Sequence, residues 1–563
     1  MRTIGRRAQR VGALVGCVAA SLLTTSCPFQ ETNHQGSGSG SPIQFSHSPL
    51  PFRVENFETP RRHVIETMAG GVAAFDFDND GDLDIYFTNG AEIPSLEKTG
   101  PRYYNRLFRN DGKGGFTDAT AGSGLEGTGY DAGVTIGDYD GDDNLDVFVS
   151  GVHRNTLYRN NGDGTFSDVT AAAGINGADE EYGPLWSVSA VWLDYDVDGR
   201  LDLFVLNYMQ WDPETERACS DYCHPRFYGP TPNRLYRNNG DGTFTDVSEE
   251  TGLRAHAGKG MGVGAADFNG DHLPDLFATN DNEFNFLFRQ TAEHRFEEVA
   301  FGAGVVLPEH GNYVSGMGVD ARDYDNDGRP DIVFVALNGE TFPVFHNIGD
   351  GEFEEVTVSA GLTVASKDMA GYSPGFFDFD NDGWKDLFVS RGHVQSMDLD
   401  GRTMVAQHNT VFRNLGDGSF QAYTEGAGFA EAPPRRHRGA AWGDFNGDGK
   451  LDVVVSALGD EAELWINDSP AAHHWIELDL RGTLSSRYPA GATVRIETES
   501  GAQYNHVCTT VGYGSSSAGP IHFGLGTAGQ VEVIEIRWPS GVVQRLEDVA
   551  AGQVLRIEEP RNR

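Results

Sequence analysis

Short runs of β-forming residues, bounded by polar turns, recur from one end of the chain to the other. Ile85-Tyr86-Phe87 and Val453-Val454-Val455 are two of them, each following an aspartate-rich stretch. Between such stretches stand paired apolar runs broken by Asn-Gly or Asp-Gly, the strongest short-range hairpin signals. They read LFRNDGKGGFTDAT at 107–120, LYRNNGDGTFSDVT at 157–170 and LYRNNGDGTFTDVS at 235–248. Weaker versions are FRQTAEHRFEEV at 288–299, FHNIGDGEFEEVT at 345–357 and FRNLGDGSFQAYT at 412–424. One unit is therefore strand, polar loop, strand, hairpin. Four short strands per unit, repeated along the chain, predict the blades of a β-propeller.

The polar loops repeat seven times, 55 to 73 residues apart, as DFDNDGDLD at 76–84, DYDGDDNLD at 138–146, DYDVDGRLD at 194–202, DFNGDHLPD at 267–275, DYDNDGRPD at 323–331, DFDNDGWKD at 378–386 and DFNGDGKLD at 444–452. After the seventh, ELWINDSPAAHHW at 463–475 lacks a hairpin of the same kind. Seven loops with six hairpins leave one blade short of a strand. The stretch SPIQFSHSPLPFRVENF at 41–57 is expected to supply it, with Phe45 and Phe52 as buried anchors. The reading is an all-β chain: a seven-bladed propeller over 42–468, then a second β domain over 469–563. In the latter, WIELDL, TVRIET, VEVIEIRW and VLRIEE alternate apolar and polar residues, as strands of a β-sandwich do. Trp538-Pro539-Ser540-Gly541 reads as a tight turn, and His473 and His474 as residues of the domain junction.

Two carboxylates about 4 Å apart repel by roughly 4 kcal/mol at an effective dielectric near 20, so crowding aspartates beside a buried strand needs a reason. Comparing the copies separates the positions. Position 1 is always aspartate (Asp76, Asp138, Asp194, Asp267, Asp323, Asp378, Asp444), as are position 5 (Asp80, Asp142, Asp198, Asp271, Asp327, Asp382, Asp448) and position 9 (Asp84, Asp146, Asp202, Asp275, Asp331, Asp386, Asp452). Position 3 is Asp78, Asp140, Asp196, Asn269, Asp325, Asp380 or Asn446. Position 7 varies freely through Asp82, Asn144, Arg200, Leu273, Arg329, Trp384 and Lys450, as suits a residue that offers only its backbone carbonyl. Position 6 is glycine in five copies and Asp143 or His272 in the others, types that tolerate positive φ. Alternating oxygen donors, a turn residue and a terminal carboxylate predict calcium, up to seven ions. Histidine and cysteine, which transition metals prefer, are absent from the ligand positions 1, 3, 5, 7 and 9. The flanks are strands, so the loops are not EF-hands.

The loops and adjoining β runs resemble the FG-GAP/VCBS repeats of integrin α-type propellers. HWIELDLRG, PAGATVRIE, GYGSSSAGPIHFGLG and EIRWPSG within 474–559 resemble the ASPIC/UnbV domain that follows such repeats. The resemblance implies a calcium-binding extracellular protein without a settled activity.

Charge and the N-terminus narrow the setting. Asp plus Glu outnumber Lys plus Arg by 83 to 42, a net charge of −41, which argues against nucleic acid as a partner. Arg2, Arg6, Arg7 and Arg10 precede an apolar stretch too short to span a bilayer, so residues 1–26 read as a signal peptide. Leu23-Thr24-Thr25-Ser26-Cys27 resembles a bacterial lipobox, with Cys27 lipidated, and 27–41 reads as a flexible tether. The expectation is an exported outer-membrane or cell-surface lipoprotein, with a secreted or periplasmic protein as the alternative, touching membrane only through its lipid. Cys219 and Cys223 suit a local disulfide in that compartment.

No catalytic motif emerges. GMGVGA at 260–265 and GMGVDA at 316–321 fit a loose dinucleotide fingerprint but run into strands rather than a helix, and read as inner strands near the propeller axis. The favoured class is a binding or adhesion module for a protein or glycan; the alternative is a carbohydrate-active enzyme. For the latter, the insertion 207–233 and PPRRHRG at 433–439 would carry the site. The plainer readings are a loop over the propeller mouth and a connection whose charges face water.

Overall fold

The computed structural model describes residues 40–175, 178–397 and 404–561. The signal segment, Cys27 and most of the tether lie outside the described residues. The chain from Gly40 to Arg563 forms one compact unit.

The repeats fold into seven sheets of four antiparallel strands, with long connections after Asn207 and Arg391. In the first, Val72–Phe75 pairs with Asp84–Phe87, which pairs with Arg106–Asn110 and then Phe116–Asp118. The innermost strands are Val72–Phe75, Asp131–Gly137, Ser187–Leu193, Gly260–Ala266, Val319–Arg322, Gly371–Phe377 and His437–Gly443. Each contacts the next in this order and the last contacts the first, so the sheets close a propeller ring. Neighbouring inner strands approach so closely that a Cβ on Gly262 would lie 2.7 Å from the Met317 carbonyl oxygen, which explains the glycines of GMGVGA.

The seventh sheet draws its outer strand from the other end of the chain. Phe45–Arg53 pairs antiparallel with Glu461–Asn467, with Phe45 opposite Asn467 and Ser48 opposite Leu464. Phe45, Leu50 and Phe52 are buried. Without this strand, the backbone of Glu461–Asn467 would be an open edge.

Beyond the ring, His474–Arg481, Ile521–Gly526 and Val554–Glu558 form one sheet. Thr493–Thr498, Gly501–His506, Gln530–Arg537 and Val543–Ala550 form a second. Ile476, Leu478, Val494, Ile496, Phe523, Ile534 and Trp538 share one core between them. The stretch 506–519 leaves this unit and enters the ring. Ser515–Ser517 adds to the first sheet in parallel with Val72–Phe75, the Gly514 carbonyl accepts from Val134 N–H (3.0 Å), and Thr510 donates to the Ala190 carbonyl (2.7 Å). His506 contacts the Ala265 carbonyl (3.2 Å), Gly512 exchanges hydrogen bonds with Val319, Tyr513 N–H donates to Ser373, and Trp442 N–H donates to Ser517. Every inner strand is met. An inner strand carries unpaired polar groups toward the axis that would otherwise need water, and the GYGSSS stretch satisfies part of that demand.

PPRRHRG departs from expectation. It does lead into the seventh sheet, but its charges do not face water: Arg435, His437 and Arg438 are buried. Glu463 holds two of them, accepting from Arg435 and lying 3.0 Å from His437 Nε2. The Arg438 guanidinium donates to the Thr67 and His437 carbonyls (2.7 and 2.8 Å).

Candidate metal centres

In every copy the loop turns on itself through left-handed backbone. Position 6 has positive φ in Gly81, Asp143, Gly199, His272, Gly328, Gly383 and Gly449. Position 4 does the same in Asn79, Gly141, Val197, Gly270, Asn326, Asn381 and Gly447, a constraint visible in the sequence as Asn or Gly in six copies. With the chain so curled, the position 1 carboxylate caps the turn: Asp76 accepts from Asp80 N–H (3.1 Å) and Gly81 N–H (3.0 Å). The position 5 carboxylate accepts from the position 7 N–H, as Asp80 does from Asp82 (3.1 Å).

Position 9 opens the second strand and is buried in all seven copies. Asp84 accepts from Phe77 N–H (3.1 Å) and Asn110 N–H (2.8 Å); Asp452 accepts from Phe445 and Asn467 in the same way. Burial, outweighing these hydrogen bonds and helped by the neighbouring carboxylates, pushes Asp84 up to about 8 and Asp202 up to about 9. Position 1 follows, with Asp138 pushed to about 6 and Asp194 to about 7 by burial first. A nearby cation would relieve this penalty.

Positions 1, 3 and 9 converge in Asp76, Asp78 and Asp84, in Asp138, Asp140 and Asp146, and in Asp194, Asp196 and Asp202, close enough to share an ion. In the fifth loop Asp323, Asp325 and Asp327 converge, and His346 joins Asp325 and Asp331. The donor set fits calcium on a further count. One Oδ1 of position 3 is buried without a hydrogen-bond partner in Asp78, Asp196 and Asp380, and such an orphaned carboxylate oxygen costs free energy unless something coordinates it. Position 7 side chains reach the third strand of their own sheet, with Arg200 Nε donating to the Asn238 carbonyl (3.3 Å), Arg329 Nε to Asn347 (2.7 Å) and Lys450 Nζ to Asn467 (3.2 Å), while the same three cations pair with the position 5 carboxylates of Asp198, Asp327 and Asp448.

Bases also offset the repulsion. Arg109 lies 2.7 Å from Asp78 and 3.0 Å from Asp80, and Arg413 lies 2.8 Å from Asp380 and 2.6 Å from Asp382. In the fifth loop His346 takes that place, 3.2 Å from Asp325.

The residue at or near the end of the third strand of each sheet, asparagine in six and Gln290 in the fourth, does more than shape a turn. Asn160 Nδ2 donates to Leu145 of its own loop (3.2 Å) and to Phe77 of the preceding loop (2.9 Å). Asn238, Asn347, Asn414 and Asn467 repeat the pattern, Gln290 reaches the Tyr195 carbonyl, and Asn110 reaches Phe445 of the seventh loop (2.9 Å). The loops are thereby tied to one another around the ring.

The C-terminal unit lies over this face. His473 Nδ1 contacts the Asp380 carbonyl (2.7 Å), Gly526 N–H donates to Asn381 (2.8 Å), and Lys385 Nζ bridges the Asp323 and Tyr504 carbonyls (2.8 Å each). Asp378, Asp380 and Asn381 are consequently buried, whereas Asp80 and Asp142 are exposed. Cys219 and Cys223 are bonded, with Cα atoms 5.4 Å apart, in the insertion on the far side of the ring.

The FG-GAP-like repeat family matches residues 76–149, 138–205, 226–278, 267–334, 323–389 and 397–455, well over half of the chain. The chain belongs to the FG-GAP-like repeat family. The ASPIC and UnbV family matches 482–563, the unit that reaches into the ring. Cartilage acidic protein 1 of Homo sapiens is 27% identical over 509 residues, covering 87% of this chain and 72% of that protein. The Mus musculus protein of the same name is 27% identical over 517 residues, covering 87% and 74%. The Xenopus tropicalis protein is 27% identical over 325 residues, covering 56% and 46%.

Proposed function

We propose that this FG-GAP repeat protein is exported, loads calcium in its seven polar loops and serves as a binding or adhesion module for a protein or glycan, held at the cell surface through a lipid on Cys27. The observation that carries the calcium reading is the orphaned position 3 oxygen of Asp78, Asp196 and Asp380, each beside the aspartates of positions 1 and 9. Extracellular calcium modules bind at roughly 10⁻⁴–10⁻³ M, so the ion would be a structural companion in a calcium-rich exterior rather than a signal. The lipid anchor rests on the lipobox-like LTTSC at 23–27. Calorimetric titration of the chain from Gly40 onward with calcium should give more than one site per chain with millimolar or tighter affinity. Titration without heat, at any calcium concentration up to 10 times that range, ends the reading. Capture of glycans and proteins on the calcium-loaded chain, compared with chelated chain, then reads the partner class.

A further inference from the structure

On the side of the ring away from the polar loops, a cavity of about 200 Å³ opens on the axis. Met68, Met261, Met317, Leu337 and Val394 supply apolar wall, and the disulfide-bearing insertion covers the cavity through Tyr222, Cys223 and His224. Tyr513, the tip of the segment threaded through the ring, packs edge-on against Tyr372 (centroids 5.2 Å apart) and donates to the Met68 carbonyl (2.7 Å), closing the axis behind it.

Two polar groups in this apolar wall are unexplained by the fold. Asp281 is buried with no arginine or lysine paired to it among the described residues; its carboxylate accepts from Tyr208 OH (2.6 Å) and Asn282 Nδ2 (3.3 Å), and Ser315 and the His224 imidazole also lie by it. Tyr372 is fully buried, yet its hydroxyl has no hydrogen-bond partner. Gln395, at the rim, also has an unpartnered Oε1. A buried hydroxyl left unpaired costs about 1–3 kcal/mol, and burying a carboxylate without a full opposite charge costs more even when it is hydrogen-bonded. Among the described residues no lysine or arginine lines the cavity, and its histidines are His224 and His393. Arg438 stacks behind the Tyr372 ring at 3.8 Å and spends its N–H groups on backbone carbonyls.

We propose that this cavity is a binding site for a small organic ammonium ion, with Asp281 as its counter-charge. The chemistry discriminates among ligands. An anion would meet Asp281 and no lining arginine or lysine. A hard metal ion wants six to eight oxygens, and the wall is mainly thioether and hydrocarbon. An alkylammonium suits both halves: its N–H groups meet the Asp281 carboxylate and the Gln395 oxygen, with Tyr372 OH as a further acceptor. Its carbons meet methionine sulfurs, which adapt to irregular shapes, and tyrosine faces, which attract cations. The inference does not depend on the calcium loops.

The test uses the chain from Gly40 onward with calcium present. n-Butylammonium, and butan-1-ol as its neutral counterpart, are titrated in calorimetry and in saturation-transfer NMR. Saturable binding of the ammonium, at least tenfold tighter than the alcohol, is expected. Asp281→Asn should weaken it at least tenfold at an unchanged melting temperature. Should that variant fail to fold, Met261→Trp, which fills the cavity from a second lining position, must abolish binding. Absence of saturable ammonium binding, equal affinity for the alcohol, or affinity unchanged in the folded variants overturns the proposal.

Discussion

The two mouths of the ring are built from the same seven sheets yet have opposite chemistry. At one, each sheet contributes a nine-residue loop with at least three aspartates, and the loops are joined by the hairpin asparagines. At the other, the connections differ from sheet to sheet, and the result is a methionine- and tyrosine-lined cavity with one aspartate, Asp281, among its described lining residues. The difference lies in where each problem is solved. A polar loop completes its turn, caps and carboxylate cluster within its own repeat, so the same residues return seven times. The opposite mouth is assembled from unlike segments that meet only when the ring closes, so nothing in it needs to repeat.

The sharpest way to separate the two mouths is to remove calcium. A site at the tight end of the extracellular range contributes about 1.4 kcal/mol at about 1 mM calcium, and seven loaded loops about 10 kcal/mol. Excess chelator should therefore lower the melting temperature by many degrees; an unchanged melting curve would show that the basic residues alone neutralise the loops.

Closure is the next largest effect. Starting the chain at Asn56 rather than Gly40 removes the buried Phe45, Leu50 and Phe52, a loss of about 5–9 kcal/mol by burial, and bares the strand Glu461–Asn467. The shorter chain should melt earlier and associate in size-exclusion chromatography with calcium present. Equal behaviour of the two chains would mean that the ring tolerates an open seventh sheet.

The seventh sheet has a buried charge cluster that needs no metal. Glu463 is buried, which alone would raise its pKa, but His437, Arg435 and the Trp465 indole N–H (2.9 Å) outweigh burial and hold the carboxyl at about 2. A depressed folded-state pKa gives stability that is present above the ordinary glutamate value and lost as pH falls through about 2. Glu463→Gln should thus cost on the order of 3 kcal/mol at pH 7, with the gap to the native chain narrowing between about pH 4.5 and 2. A gap that does not change with pH would assign the loss to packing.

The smallest effect lies within one loop. Asp80→Ala removes a carboxylate that accepts from Asp82 N–H and should lower calcium stoichiometry and cost about 1–2 kcal/mol. Asp82→Ala removes an outward side chain and should stay within about 0.5 kcal/mol. Identical calorimetric titrations for the two variants would contradict the assigned positions.

Much of this was legible before folding because it is local. The 55–73-residue repeat, the aspartate positions and the turn at position 6 are all readable in single copies compared with one another. Even the closing strand followed from a count of loops against hairpins. Position 4 was equally readable, since Asn79, Gly141, Asn381 and their counterparts are left-handed types, and only Val197 hides the rule.

Long-range partners decided the remainder. Asn160 reads as a turn residue until Phe77 of the neighbouring loop, 83 positions away, is beside it. Arg435 and His437 read as solvated charges until Glu463 of the paired strand receives them. GYGSSS at 512–517 looks like any glycine-serine turn of the C-terminal unit, and small residues are what the axis admits: Gly514 lies so near the Gly133 backbone that an added Cβ would meet its Cα at 3.0 Å. The sequence by itself determined what each repeat does with its own atoms, because turns, caps and alternation are satisfied within a few residues. Only the tertiary structure decided what fills the axis, which charges are buried and that Asp281 and Tyr372 line one cavity, because those depend on segments distant in the chain competing for the same space.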